Sequence, residues 1–335
     1  MGTPTRSIAR SVFPNPSEAM RMDTVLMQQI LNAEPAFFDI EEKIRCTKLL
    51  DEMSTEECEE LALSSYTYWL ATFDEIQPDR GMQRLAALKD IRRHYIAENK
   101  KYDSTLERLR QTCRLRRDNT ITVLRTLFAD NFDQFGLTAN QLAIRAEYQV
   151  LVSEELAKQN MVVRGYDREN RAILYKLSRT KKDTLELAYT LTQLYLIDRA
   201  AAASEVVSRG KQDQVVVVLV FDNYLRSLSP PLSTVRHGNA KLQTLFPERL
   251  HKLIVLNPPF WMRAIYHLIS PLLSSATRQK IRVLSGKEEG FLRETVDAEQ
   301  AMPMLRSDGH LISKISVDQY LRNIPYYGLY DGVYS

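Results

Sequence analysis

A chain of 335 residues is long enough for two domains, or for one domain with a helical lobe. Its 44% hydrophobic and 26% charged residues are the balance of a globular protein, and no apolar run of eighteen or more residues is present to span a bilayer. The formal net charge of +3 is too small for a dedicated nucleic-acid binder, yet it leaves room for a local basic patch facing anionic lipid.

In chain order, residues 1–17 carry Arg6, Arg10, no acid and three prolines, without the hydrophobic core of a secretory signal; they read as a disordered tail. Gly2 lacks the hydroxyl expected at the sixth position of a myristoylation motif, where Arg6 stands. Residues 18–130 read as a helical lobe. Ser54-Thr55-Glu56-Glu57 marks a helix start, and Gln77–Gly81 breaks that helix. Met82–Lys100 and Ser104–Arg117 follow, with Tyr102-Asp103 as the turn and cap. The run Arg114, Arg116, Arg117 reads as a solvated face.

Asp130–Phe135 reads as a linker, and Thr138–Gln159 as a helix capped by Thr138. The period then changes. Met161–Arg164 and Ala172–Leu177 are short strands around a polar turn, and Lys182–Ala203 is a long helix. Val215–Phe221 is apolar without alternation, the mark of a central strand covered on both faces. After a helix at Ser233–Leu245 come strands Leu253–Leu256 and Ile281–Leu284, with a very apolar helix between them. Asn257-Pro258-Pro259 ends the first of these strands. Phe260, Trp261, Ile265, Leu268, Ile269, Leu272 and Leu273 recur at helical spacing, so this helix is either buried core or the guard of something apolar. Strands alternating with helices imply parallel crossovers and an α/β domain.

Chemistry-bearing motifs are sparse. Cys46, Cys58 and Cys113 form no CxxC pair and no zinc spacing, and the odd count fits a reducing compartment. The five histidines are scattered, so neither a metal site nor a cofactor is expected. There is no phosphate loop, no GxGxxG after a strand, and no glycine frame around Ser227 or Ser229. Asp222 ends a buried strand, where α/β enzymes keep catalytic acids, but a polar strand end bonding a loop amide accounts for it.

The stretch from Phe246 to Gly286 resembles the CRAL-TRIO lipid-binding family, which includes the yeast-type phosphatidylinositol transfer proteins. The resemblance rests on Phe246-Pro247-Glu248-Arg249-Leu250, Val255-Leu256-Asn257-Pro258-Pro259, Ser270-Pro271-Leu272-Leu273 and Lys280-Ile281-Arg282-Val283-Leu284-Ser285-Gly286. Weaker agreement, including Gly165–Arg171 and Phe221-Asp222, runs from about Ile91 to Leu321.

The resemblance implies a helical lobe followed by a mostly parallel sheet flanked by helices, enclosing an apolar lipid cavity with a helical gate. The lipid-binding domain would span residues 131–325, with 326–335 as a C-terminal tail. The apolar helix would be the gate. The family's head-group glutamate and lysine fall on Glu248 and Lys280, and its N-terminal-lobe arginine falls on Lys100, which keeps the charge but not the bidentate fork. A structural ion pair that caps the strands is the other reading of Glu248 and Lys280. Val217 and Leu219 stand where choline-lipid exchangers carry hydroxyls. The implied protein is a non-enzymatic, cytoplasmic, peripherally membrane-associated carrier. Its partners would be a phospholipid, first of all phosphatidylinositol, a transient membrane surface and lipid-metabolising enzymes, with no nucleic acid. A carrier of a tocopherol- or retinal-like molecule, a lipid-dependent adaptor and an enzyme using Asp222 are the rivals.

Overall fold

The computed structural model describes residues 30–70, 79–128, 132–158, 160–177, 185–221, 231–269, 275–284 and 294–296. The helical lobe starts with α1 (Ile40–Asp51), whose first turn is closed by the Asp39 carboxylate accepting the Glu42 N–H at 2.7 Å. Helix α2 (Thr55–Leu70) opens on a reciprocal cap. The Ser54 hydroxyl accepts the Glu57 N–H, and the Glu57 carboxylate accepts the Ser54 N–H. Asp79 caps α3 (Arg80–Ala97) in the same way as Asp39. The expected turn at Tyr102-Asp103 lies slightly earlier. Asn99 and Lys100 adopt positive φ (53° and 63°), Lys101 occupies the cap position, and Tyr102 is already the first residue of α4 (Tyr102–Asp118).

Helix α5 (Ile121–Arg125) and a 3-10 turn at Phe132–Phe135 lead to α6 (Ala139–Ala157). Thr138 and Gln141 form the capping box of α6, as the sequence suggests. Strands β1 (Met161–Tyr166) and β2 (Ala172–Leu177) pair antiparallel. Then come α7 (Glu186–Val207), β3 (Val215–Val220), α8 (Leu232–Leu245) and β4 (Leu250–Leu256). The single apolar helix expected before the last strand is two helices, α9 (Phe260–Ile269) and α10 (Ser275–Lys280), preceding β5 (Ile281–Leu284).

The sheet order is β1-β2-β3-β4-β5, and every pair after β1–β2 is parallel. Each parallel crossover therefore advances in the same direction across the sheet. Such crossovers are right-handed almost without exception, and right-handed steps in one direction place all their helices on one face. Helix α7 lies across β1, β2 and β3, with the Lys176 ammonium 5.7 Å from the Tyr189 ring centroid, which fixes that face. The same handedness puts α9 and α10 over β4 and β5 on the α7 side.

The opposite face is thoroughly buried. Val216 and Val218 are 0% exposed, and Ile254 and Leu256 are 1% exposed. Part of the approach to this domain is made from far along the chain. The Arg168 N–H donates to the Thr295 carbonyl at 3.0 Å, and Val296 is fully buried.

Candidate functional site

The register defines a floor. Leu174, Val217, Leu253 and Ile281 form one row across β2–β5, and Lys176, Leu219, Val255 and Val283 form the next; both rows face α7. A central strand covered on both faces should bury every apolar side chain. Val217 and Val255 are buried, but Leu219 on central β3 and Leu253 on β4 are only half-buried, as are Ile281 and Val283 on the edge strand. Lys176 apart, the floor is thus apolar, and its β3–β5 part is incompletely buried. Val217 and Leu219, where the resemblance places hydroxyls in choline-lipid exchangers, both belong to it.

The gate candidates divide. Phe260 is 85% and Trp261 44% exposed at the start of α9. The turn before them is held by the Asn257 N–H donating to the Leu284 carbonyl and by the Arg263 side chain donating to the Pro258 carbonyl. The backbones of Ile265, Leu268 and Ile269 are helical, while their side chains, and the whole of Leu272 and Leu273, lie outside the described residues. Leu185 (65% exposed) and Leu187 (44% exposed) start α7 just after β2. Because β2 and β4 are parallel members of one sheet, these leucines and the two aromatics sit at the same, C-terminal edge of the strands. None of the helices among the described residues is long and apolar enough to cross a membrane.

Glu248 and Lys280 meet at the other edge. The Lys280 ammonium donates to the Glu248 carboxylate at 2.8 Å, and the two side chains are 29% and 28% exposed, respectively. A pair this open to water contributes at most about 1 kcal/mol, so either side chain can exchange its partner for a ligand group cheaply. Glu248 itself sits at φ 57°, a conformation that disfavours any side chain bearing a Cβ by roughly 1–2 kcal/mol. Its carbonyl accepts from the Gln214 side chain at 3.0 Å.

Lys100 is placed elsewhere. Its ammonium pairs with Glu42 at 2.8 Å and stands 5.0 Å from the Phe38 ring centroid, within the helical lobe. Burial works against ionisation of Glu42, but Lys100 and Arg92 outweigh it and hold the carboxyl below its usual range.

The residues that hold the Glu248 loop are not visible in sequence. Arg116, read as part of a solvated run, is 0% exposed. It donates to Asp90 at 2.7 Å and twice to the Leu245 carbonyl, at 3.2 and 2.6 Å, while Arg114 and Arg117 are exposed. Burial alone would raise the Asp90 pKa, yet Arg116 and Arg93 keep its carboxyl far below the usual range. Arg93 also bridges to Asp213, whose backbone carbonyl accepts from Arg249 at 2.9 Å. The lobe and the sheet are therefore joined by buried charge directly beneath residues 246–249. An ST-x-E or Val-run pattern signals local structure; a buried arginine in an arginine-rich helix has no such signal.

A helical lobe joined to a mostly parallel sheet with helical crossovers defines the class of an α/β domain. Residues 156–303, a little under half of the chain, match the family model of the CRAL/TRIO domain. It is 26% identical over 153 residues to the phosphatidylinositol transfer protein PDR17 of Saccharomyces cerevisiae, covering 44% of this chain and 40% of that one. It is 25% identical over 126 residues to the Sec14 cytosolic factor of Schizosaccharomyces pombe, covering 38% of this chain and 44% of that one. The matches thus span less than half the length of either relative. Among solved structures, the crystal structure of Sfh5 superimposes with a TM-score of 0.50 at 14% identity, covering 78% of this chain and 85% of that one; it supports the fold.

Proposed function

We propose that this protein is a non-enzymatic lipid carrier that takes one phospholipid, phosphatidylinositol first of all, between the sheet floor and α9. The observation that carries the reading is Leu219: a leucine on the central strand is left half-buried where a plain core would enclose it. A diacyl lipid exposes roughly thirty methylenes, each worth about 0.8 kcal/mol to hide, so a lone carrier needs such an apolar floor. The exposed Phe260, Trp261, Leu185 and Leu187 at one sheet edge supply a surface to dock on a bilayer, where aromatic side chains partition to the interface. The Glu248–Lys280 pair at the other edge supplies an acid and a base for the head group. The name of the PDR17 relative supports phosphatidylinositol as the first ligand to test. In this reading the lipid-binding unit is residues 131–325, resting on the helical lobe 18–130, and the protein works as a peripheral visitor to cytoplasmic membrane surfaces.

Transfer of labelled phosphatidylinositol between vesicles tests it, with Leu219→Trp as the comparison. Filling the floor should reduce transfer at least tenfold while the melting temperature stays within about 3 °C, since Leu219 is half-buried rather than enclosed in the core. No transfer by the wild-type protein, and no lipid found in it by native mass spectrometry, would refute the carrier reading.

A further inference from the structure

The helical lobe carries an apolar face that lipid carriage does not use. Helix α1 buries Glu42, Cys46, Leu49 and Leu50 and packs on α3 and α4. On its other side Ile40 is 71% and Ile44 60% exposed, one turn apart, and Phe38 just before the cap is 83% exposed. A surface helix ordinarily turns polar residues to water there. The three side chains leave roughly 400 Å² of apolar surface, within the range of about 300–600 Å² in which exposed patches are often functional. The Phe38 ring lies beside the Lys100 ammonium, 5.0 Å from its centroid. The charges along this face are ordered. Glu41 stands at the N-terminal end of one flank, and Lys48, two turns on, at its C-terminal end; both are exposed.

We propose that this face is the interface of a weak homodimer, in which α1 packs antiparallel on α1 of a second copy about a two-fold axis through Ile44. In that arrangement residues equally far from Ile44 stand at the same level. Ile44 meets its own copy, and Ile40 meets the methylene stem of the partner's Lys48. Glu41 stands about 1.5 Å, one residue's rise, from the level of that lysine. The two-fold returns each flank of the helix to itself, so the acid at one end meets the base at the other, twice. Glu41 also pairs with Arg45 within its own helix, but both side chains are open to water and the pair leaves the carboxylate free to share. The other charges nearby are already matched: Lys43 pairs with Glu34 and Asp51 with Arg84, each at 2.8 Å. The apolar area is about half the roughly 800 Å² per partner of a standard interface, which sets a dissociation constant of roughly 1–100 µM. None of this depends on the lipid-carrier reading.

Sedimentation velocity of the full chain from about 1 to 200 µM tests it, and wild type should pass from monomer to dimer across that range. Ile44→Glu sets two carboxylates face to face at the axis and should weaken the dimer at least tenfold. Glu41→Lys and Lys48→Glu should each weaken it roughly tenfold, since two rim contacts turn from attraction to repulsion. The double reversal Glu41→Lys with Lys48→Glu should restore it, a recovery that neither a damaged fold nor an unspecific apolar contact gives. Should Ile44→Glu lower the melting temperature, the charge series decides alone. Wild type that stays monomeric at about 200 µM overturns the proposal, as does a double reversal no better than the single ones. A well-folded Ile44→Glu that associates like wild type overturns it too. Monomeric wild type that floats with anionic phospholipid vesicles, and loses them in Ile44→Glu, overturns it by giving the face to a membrane. Phosphatidylinositol transfer by a strictly monomeric protein removes this proposal and leaves the carrier reading in place.

Discussion

Replacing Arg116 with methionine removes a buried cation without leaving a large void. It deletes the 2.7 Å bond to Asp90 and both bonds to the Leu245 carbonyl, at 3.2 and 2.6 Å. Removing one partner of a buried ion pair typically costs 3–5 kcal/mol, because the other charge stays buried. Asp90 keeps Arg93 at 2.9 Å, which argues for the lower end, about 3 kcal/mol. At roughly 2–4 °C per kcal/mol for a chain of this class, the melting temperature should fall by about 6–12 °C. The effect also has a direction, because the Leu245 carbonyl anchors the loop that carries Glu248. Below the new midpoint, phosphatidylinositol transfer should fall more than binding of an uncharged lipid. Arg116→Lys keeps a charge but cannot fork between Asp90 and Leu245, so it should lie between wild type and Arg116→Met. The assay is a melting curve by circular dichroism beside two-lipid transfer at 20 °C. A midpoint within 2 °C of wild type would refute the structural argument, and an equal loss for both lipids would refute the link to Glu248.

Further expectations follow from the same geometry. Glu248→Ala and Lys280→Ala should each lower phosphatidylinositol transfer roughly ten- to hundredfold relative to an uncharged lipid, while Lys100→Ala, already committed to Glu42, should change it less than twofold; equal transfer by all three variants would make the pair a structural cap. His94 is 0% exposed, and burial pushes its pKa down to about 4. The unfolded imidazole titrates near 6.5, so the unfolded state binds the extra proton between the two values, and stability should fall by about 3 kcal/mol as pH drops through that window. Urea titrations of wild type and His94→Gln at pH 7 and pH 4.5 check this, the variant showing a shallower loss. Burial also pushes the Cys46 and Cys113 thiols up to about 12, so a thiol reagent at pH 8 should label Cys58 first and the other two only in denaturant. Trp261→Ala should slow transfer severalfold with little change in melting temperature, since nearly half of that side chain is exposed; a large thermal loss would return α9 to the core.

Where the chemistry is local, sequence was enough. The run Val215–Val220 is the central strand, and the capping residues Ser54 and Thr138 start the helices they promise. Strand β4 begins at Leu250 rather than Leu253, because His251 and Lys252 look unlike strand but lie in the ladder beside β3. The Glu248–Lys280 contact was accessible through the resemblance alone. Which residues form the floor was not, because assigning a side chain to a face needs the register of four strands. The reading of Arg116 as part of a solvated face fails for a similar reason: its neighbours are solvated, and only the packing of α4 against the end of α8 turns it inward.

The bond between Arg168 and Thr295 has a consequence for the making of the molecule. The β1–β2 turn can form as soon as its own strands leave the ribosome, but the backbone group that meets it is translated well over a hundred residues later. At about 5–20 residues per second that delay is roughly 6–25 s. During it the hairpin must wait with a valine-rich partner strand arriving beside it, a condition that favours wrong pairing between nascent chains. Synthesis of this protein should therefore depend on a holding chaperone more than its modest size suggests, and pausing translation before residue 295 should raise aggregation sharply.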